Sequence, residues 1–152
     1  MLRPTLNELL SGMQRTIMEA LMPELTSPYA QGQAMSAVGM LAHAAAVLES
    51  MPAYDAAEIK DLRATFAALK RLGDKHLSKK SGLRGALTRA THAGHKTKNP
   101  PDRRAMEASM AAFATAVALG QVDDRVARLV RGYLRRNLER SRNLLGGSTP
   151  SA

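Results

Sequence analysis

DDRVARLVRGYLRRNLERSRNLLGG, residues 123–147, is the stretch on which the fold turns. Val126, Leu129, Val130, Tyr133, Leu134 and Leu138, with Val122 just upstream, recur every three or four positions, the period of one helix face. Arg128, Arg131, Arg135 and Arg142 gather within about 60° of one another on the opposite side, at 100° per residue. Arginines opposite an apolar stripe are what a surface helix needs. Asp123 and Asp124 place negative charge at the helix start, where the dipole favours it. Gly146-Gly147 ends the pattern.

Moving upstream, the same period recurs. Pro100-Pro101 pins the start of a helix whose inner face is Met106, Met110, Phe113 and Val117, with Gly120 at its C-terminal stop. At the other end of the chain, Thr5-Leu6-Asn7-Glu8 has capping-box spacing. Leu6, Leu9, Leu10, Met13, Ile17 and Leu21 follow on one face, and Pro23 predicts a stop near Met22. Ser27-Pro28 opens a second helix with the stripe Ala30, Ala34, Ala37, Val38, Leu41, Ala45 and Leu48, expected to end near Ser50, before Pro52. Asp55-Ala56-Ala57-Glu58 repeats the capping-box spacing ahead of Ile59, Leu62, Phe66 and Leu69, with either Gly73 as a stop or the helix running on past Leu77. Between Ser78 and Pro101, Gly82, Gly85 and Gly94 interrupt, and Leu83, Ala86 and Leu87 suggest one short helical turn. A basic, partly irregular connection is expected over 78–100. No segment alternates apolar and polar residues as a strand does. The expectation is an all-α fold: an up-down helical bundle of four main helices plus an irregular basic segment, one domain over 1–147, then a disordered tail, 148–152.

The chain has 152 residues and a formal net charge of +9. That charge is lopsided. Residues 1–62 hold seven acids against three bases, and residues 63–152 hold 19 bases against six acids. Such asymmetry suits a polyanionic partner or the docking of one half on the other. Aromatic residues are 3% of the chain, so the core must be aliphatic and methionine. Cysteine is absent, which excludes disulfides, thiolate metal sites and cysteine nucleophiles. There is no unbroken run of 18 apolar residues, so no membrane span is expected. Met1 to Thr5 lacks the pattern of a signal peptide, and a cytoplasmic protein of bacterial type is the default expectation.

Motifs that carry chemistry are scarce. His92 and His95 form an H-x-x-H pair, but lysines surround it and no carboxylate is near in sequence, so no metal and no cofactor are expected. His43 reads as a boundary residue of the second helix. The carboxylate pairs Glu58/Asp61 and Asp123/Asp124 read as charges at helix starts. Gly94-His95-Lys96-Thr97 lacks phosphate-loop spacing, and no preceding strand aims it. No catalytic residue is assigned. The basic run of 70–104 is the strongest signal; its candidates for a nucleic-acid or other polyanion contact are Lys79, Lys80, Arg84, Arg89, Lys96 and Lys98. No aromatic residue interleaves them, which argues against stacking on single strands.

The opening, Arg3-Pro-Thr-Leu-Asn-Glu-Leu-Leu, the break Met22-Pro-Glu-Leu and the return through Tyr29-Ala-Gln-Gly-Gln-Ala resemble the start of an uncharacterised bacterial all-helical family. Its members tend to be encoded beside aminoglycoside-phosphotransferase-like kinases and acyl-CoA dehydrogenases. The resemblance covers about the first 50 residues. It implies an accessory role near such an enzyme and carries over no catalytic residue.

The functional expectation is a non-catalytic helical protein that acts by protein–protein contact and self-associates, a homodimer being the natural form. Two surfaces are candidates. One is the small-residue face of the second helix around Gly32, Ala34 and Gly39, where a partner helix could approach closely. The other is the apolar end near Met18 and Met22. The alternatives are nucleic-acid binding through the 70–104 segment, and a small-molecule-binding bundle or accessory subunit of a metabolic enzyme.

Overall fold

The computed structural model describes residues 4–73, 76–77, 82–95 and 102–146, and among them there is no strand. The protein is all-α. The helices are α1 (Leu6–Arg15), α2 (Pro28–Leu72), α3 (Leu83–His95), α4 (Arg103–Ala118) and α5 (Asp124–Gly146). After α1 the chain winds on as a π-helical turn, Thr16–Leu21, and a 3-10 turn, Met22–Glu24.

Several predicted helix ends are present. Thr5 and Glu8 close the capping box: the Thr5 amide donates to Glu8 Oε2 at 2.6 Å, and the Glu8 amide donates to Thr5 Oγ1 at 3.2 Å. Asp102 accepts from the Ala105 amide at 3.0 Å at the start of α4. Gly120, at φ 65°, takes the left-handed turn after α4, and the Gln121 amide returns to the Ala116 carbonyl at 2.9 Å.

Three expectations are corrected. The break at Ser50–Pro52 does not occur: α2 runs through Pro52 for 45 residues. A proline inside a helix costs about 3 kcal/mol. Packing further along outweighs it, because Glu58, Leu62, Thr65, Phe66 and Leu69 of the same helix are all buried. It follows that Asp55 and Glu58 lie within a helix and are not a capping box. Finally, the expected irregular connection of 78–100 contains a 13-residue helix, α3. A Cβ at Gly94 would lie 3.5 Å from the Arg63 side chain and 3.7 Å from Met106 Sδ, and Leu83, Ala86, Leu87, Ala90 and Ala93 are buried. The predicted tail, 148–152, lies outside the described residues.

The chain forms two compact units, Tyr54–Ser141 and Met1–Ala53 with Arg142–Ala152. The boundary falls one residue past Pro52. The unit of Tyr54–Ser141 holds the core. Its four helical segments, from α2, α3, α4 and α5, pack around Leu62, Phe66, Leu69, Leu83, Met106, Phe113, Val126 and Val130, each at most 2% exposed. Phe66 and Phe113 meet edge-to-face, ring centroids 6.2 Å apart.

The other unit is a helical hairpin. The chain reverses between Met22 and Ser27, and Gln14 Nε2 reaches the Val38 carbonyl at 3.3 Å. None of its described residues is buried. The expected stripe of the second helix, Ala30 to Leu48, is half-buried throughout.

Candidate functional site

The hairpin leaves its apolar side chains on show. On α1, Asn7, Leu10 and Gln14 are half-covered. Leu6, Leu9 and Met13, the more apolar row, are 56%, 47% and 57% exposed. The two rows are adjacent sectors of one helix at 100° per residue. The contact inside the hairpin thus takes a sector with two amides, while the apolar sector faces out. A groove of about 600 Å³ runs beside that sector, lined by Leu9, Gly12, Met13, Thr16 and Ile17 and floored by Leu41 of α2. Gly12 is open: a Cβ there would meet nothing within 4 Å. The π-helical turn at Thr16–Leu21 ends the row, and such turns recur at functional sites.

Of the small residues expected to form one packing face, Gly32 and Gly39 are exposed, and a Cβ at either would meet nothing within 4 Å. Ala34 is half-buried on the other side of α2. The structure does not bring the three together. Met18 is 43% exposed and Met22 half-buried.

The first part of α2 also has a property that its scattered polar letters conceal. From Pro28 to Leu48 there is no Asp, Glu, Lys or Arg. Over an 18-residue window the mean hydropathy reaches 1.3, none of that window is buried, and the helix is long and apolar enough to cross a membrane. Gln31, Gln33, Ser36 and His43 interrupt the apolar run, so no unbroken stretch marks it in the sequence.

The other unit contains a polar cluster that sequence reasoning misplaced. Glu58, 3% exposed, lies 2.7 Å from Arg103 Nη2 and accepts from the Tyr133 hydroxyl at 3.2 Å. Arg103 also pairs with Asp55, and with Glu107 at 2.6 Å, and stacks over the Tyr54 ring at 5.8 Å. One guanidinium thus gathers three carboxylates. Burial works against the charged Arg103, but the hydrogen bond to Glu107 and the charges of Glu58, Glu107 and Asp55 outweigh it and raise its pKa. The Tyr133 phenol is pushed up as well, by burial first and by Glu58 second. A cleft of about 230 Å³ opens here between Glu58, Glu107, Tyr133 and Asn137. Its groups are committed to one another: the carboxylates hold Arg103, and the phenol keeps its proton at neutral pH. No group of three or more side chains that could hold a metal occurs among the described residues.

Asp61 likewise belongs to no helix start. Arg136 grips it through Nη2 at 2.7 Å and Nε at 3.1 Å, and Arg140 donates at 2.7 Å. Burial pushes the carboxyl up, but the two guanidiniums outweigh it and its pKa is lowered. Because the folded value lies below the unfolded one of about 3.9, the stabilisation is complete above that pH. It is lost as pH falls through the folded value. Asp61→Asn should therefore flatten the acid limb of a stability-versus-pH curve below about pH 4, read by urea midpoints. An unchanged acid limb would remove Asp61 from the account.

At the start of α5, Asp123 meets His76 at 3.2 Å and accepts from the Arg125 amide at 2.6 Å. The Arg125 amide first, and His76 second, lower its pKa. Of the basic candidates, Arg84 and Arg89 are exposed on α3; Lys79, Lys80, Lys96 and Lys98 lie outside the described residues. His92 is exposed on the same helix. No family model matches the chain, and neither a curated protein nor a solved structure matches it.

Proposed function

We propose that the protein acts by contact rather than catalysis, and that its hairpin pairs with the hairpin of a second copy. The observation that carries this reading is the outward apolar row Leu6, Leu9 and Met13 beside a covered row that includes Asn7 and Gln14. Burying apolar surface is worth about 25 cal/mol per Å², so a helix whose best apolar sector stays in water is incomplete alone.

A second copy fits the row for three reasons. An antiparallel pairing of α1 with itself, centred between Ser11 and Gly12, sets Leu6 against Ile17 of the second copy and Leu9 within one position of its Met13. The open glycine beside the centre lets the two backbones approach closely. Residues 1–53 hold four acids and two bases, too weak a net charge to repel a copy. A self-complementary patch of this kind is what a twofold dimer requires.

Size-exclusion chromatography with light scattering tests it. The expected mass is twice the 16.4 kDa of one chain at micromolar concentration. A monomer at every concentration reached, or a chain recovered only in the membrane fraction through the uncharged part of α2, would overturn the reading.

A further inference from the structure

We infer that the second half of α2 is a contact surface for duplex DNA, held through the phosphates. The surface is independent of the hairpin and lies wholly in the unit of Tyr54–Ser141. In this half of the helix, Glu58, Leu62, Thr65, Phe66 and Leu69 turn inward and are buried. The side left to solvent is Lys60, Arg63, Ala64, Ala67, Lys70 and Arg71. At 100° per residue these positions fall within one sector of about 120°. Four of them are cations, and the other two are alanines.

None of the four cations forms an ion pair with a described residue. Asp61, the one acid between Ile59 and Gly73, turns toward α5, where Arg136 and Arg140 hold it. Cations in a last helical turn complement the helix dipole, which accounts for Lys70 and Arg71. It does not account for Lys60 and Arg63, which stand well inside the helix. Arg63 is also set in place. Its stem lies along Gly94 of α3, 3.5 Å from the position of a Cβ there, while the residue stays exposed.

The cations form two pairs with the alanines between them. At 1.5 Å per residue, the midpoints of Lys60/Arg63 and Lys70/Arg71 are about 13.5 Å apart along the helix. The major groove of B-form DNA is about 12 Å wide. A helix laid across that groove sets one pair of cations on each phosphate wall. The bare middle, Ala64 and Ala67, lets the helix come close to the duplex. With the cations on the walls and alanine over the bases, contact is largely indifferent to sequence.

Two other partners fit less well. A membrane surface takes a helix with an exposed apolar face, and the apolar face of this half of α2 is already spent on the core. Single strands are held by exposed aromatic rings, and this face has none.

The test is fluorescence anisotropy of a labelled DNA duplex of about two helical turns, titrated with the full chain at a series of salt concentrations. Binding should weaken steeply with salt. Lys70→Gln with Arg71→Gln should reduce the slope of log K against log salt by about 2, since each phosphate contact contributes about 0.9. Lys60→Gln with Arg63→Gln should do the same. Arg128→Gln with Arg131→Gln removes equal charge from the exposed side of α5 and should leave the slope as in the wild type. Circular dichroism and the dimer mass of each variant should match the wild type, which separates failure here from failure of the hairpin reading. No binding at the lowest salt would overturn the inference. So would a slope unmoved by either α2 pair, or lowered as much by the α5 pair. Equal affinity for an RNA duplex, whose major groove is deep and narrow, or equal retention by phosphatidylserine vesicles would overturn it as well.

Discussion

Replacing Arg103 by Met should destabilise the protein by about 3–5 kcal/mol, the usual cost of leaving a buried charge without its partner. Domains of this kind hold only about 5–15 kcal/mol in total, so a large fraction of the stability is at stake. The cause is the geometry around Glu58. Its carboxylate is 3% exposed and has two supports, Arg103 at 2.7 Å and the Tyr133 hydroxyl at 3.2 Å. A tyrosine hydroxyl cannot balance a full charge, and without the guanidinium the neighbouring Asp55 and Glu107 become repulsive. Urea denaturation followed by circular dichroism reads the loss. Two further variants separate a buried-charge effect from simple loss of side-chain packing. Glu58→Gln keeps an acceptor for Tyr133 and should cost less than Arg103→Met. Joining Arg103→Met with Glu58→Leu should recover most of the loss, because removing both partners of a buried pair is often nearly neutral. If Arg103→Met alone shifts stability by less than about 1 kcal/mol, the pair does not anchor this unit.

That cluster also shows where the sequence stops being readable. Helix faces were legible because a buried side chain needs an apolar row at the helical period: Met106, Met110 and Phe113, and Val126, Val130 and Tyr133, all lie in the core as their spacing predicts. Helix ends were legible where a side chain serves orphan amides nearby, as at Thr5 and Glu8. Glu58 carries the same local signature as Glu8, three residues after a possible cap. Its partners, Arg103 and Tyr133, lie 45 and 75 residues away in sequence, and nothing local records them. Pro52 misleads for the opposite reason: its local cost is real, but the burial that offsets it comes later along α2. In α3, glycines at 82, 85 and 94 suggest a loop because local propensity takes no account of the core that Leu83, Leu87 and Ala90 complete. On α1 the stripe was legible, but which half of it the hairpin covers was not. That choice depends on how α2 returns, and it is the choice that exposes the candidate site.

Putting charge into that exposed half should dissolve the dimer and spare the rest. Leu9→Glu with Met13→Glu sets two carboxylates per copy at the seam, four in the pair, where the apolar rows would otherwise meet. The dimer dissociation constant should rise at least about 1,000-fold, corresponding to roughly 4 kcal/mol, and light scattering should show the monomer mass. Urea denaturation of the core unit should be unchanged, because Leu9 and Met13 belong to the hairpin and no core residue lies there. Gly12→Leu is the sharpest probe. It adds bulk where the structure leaves space in one chain, so the folded monomer should tolerate it. The dimer should not, because the antiparallel crossing brings the two copies of that position within one residue of each other near the centre of the seam. A Gly12→Leu chain that still elutes as a dimer would mean that the copies meet elsewhere, and the apolar row of α1 would then need another occupant.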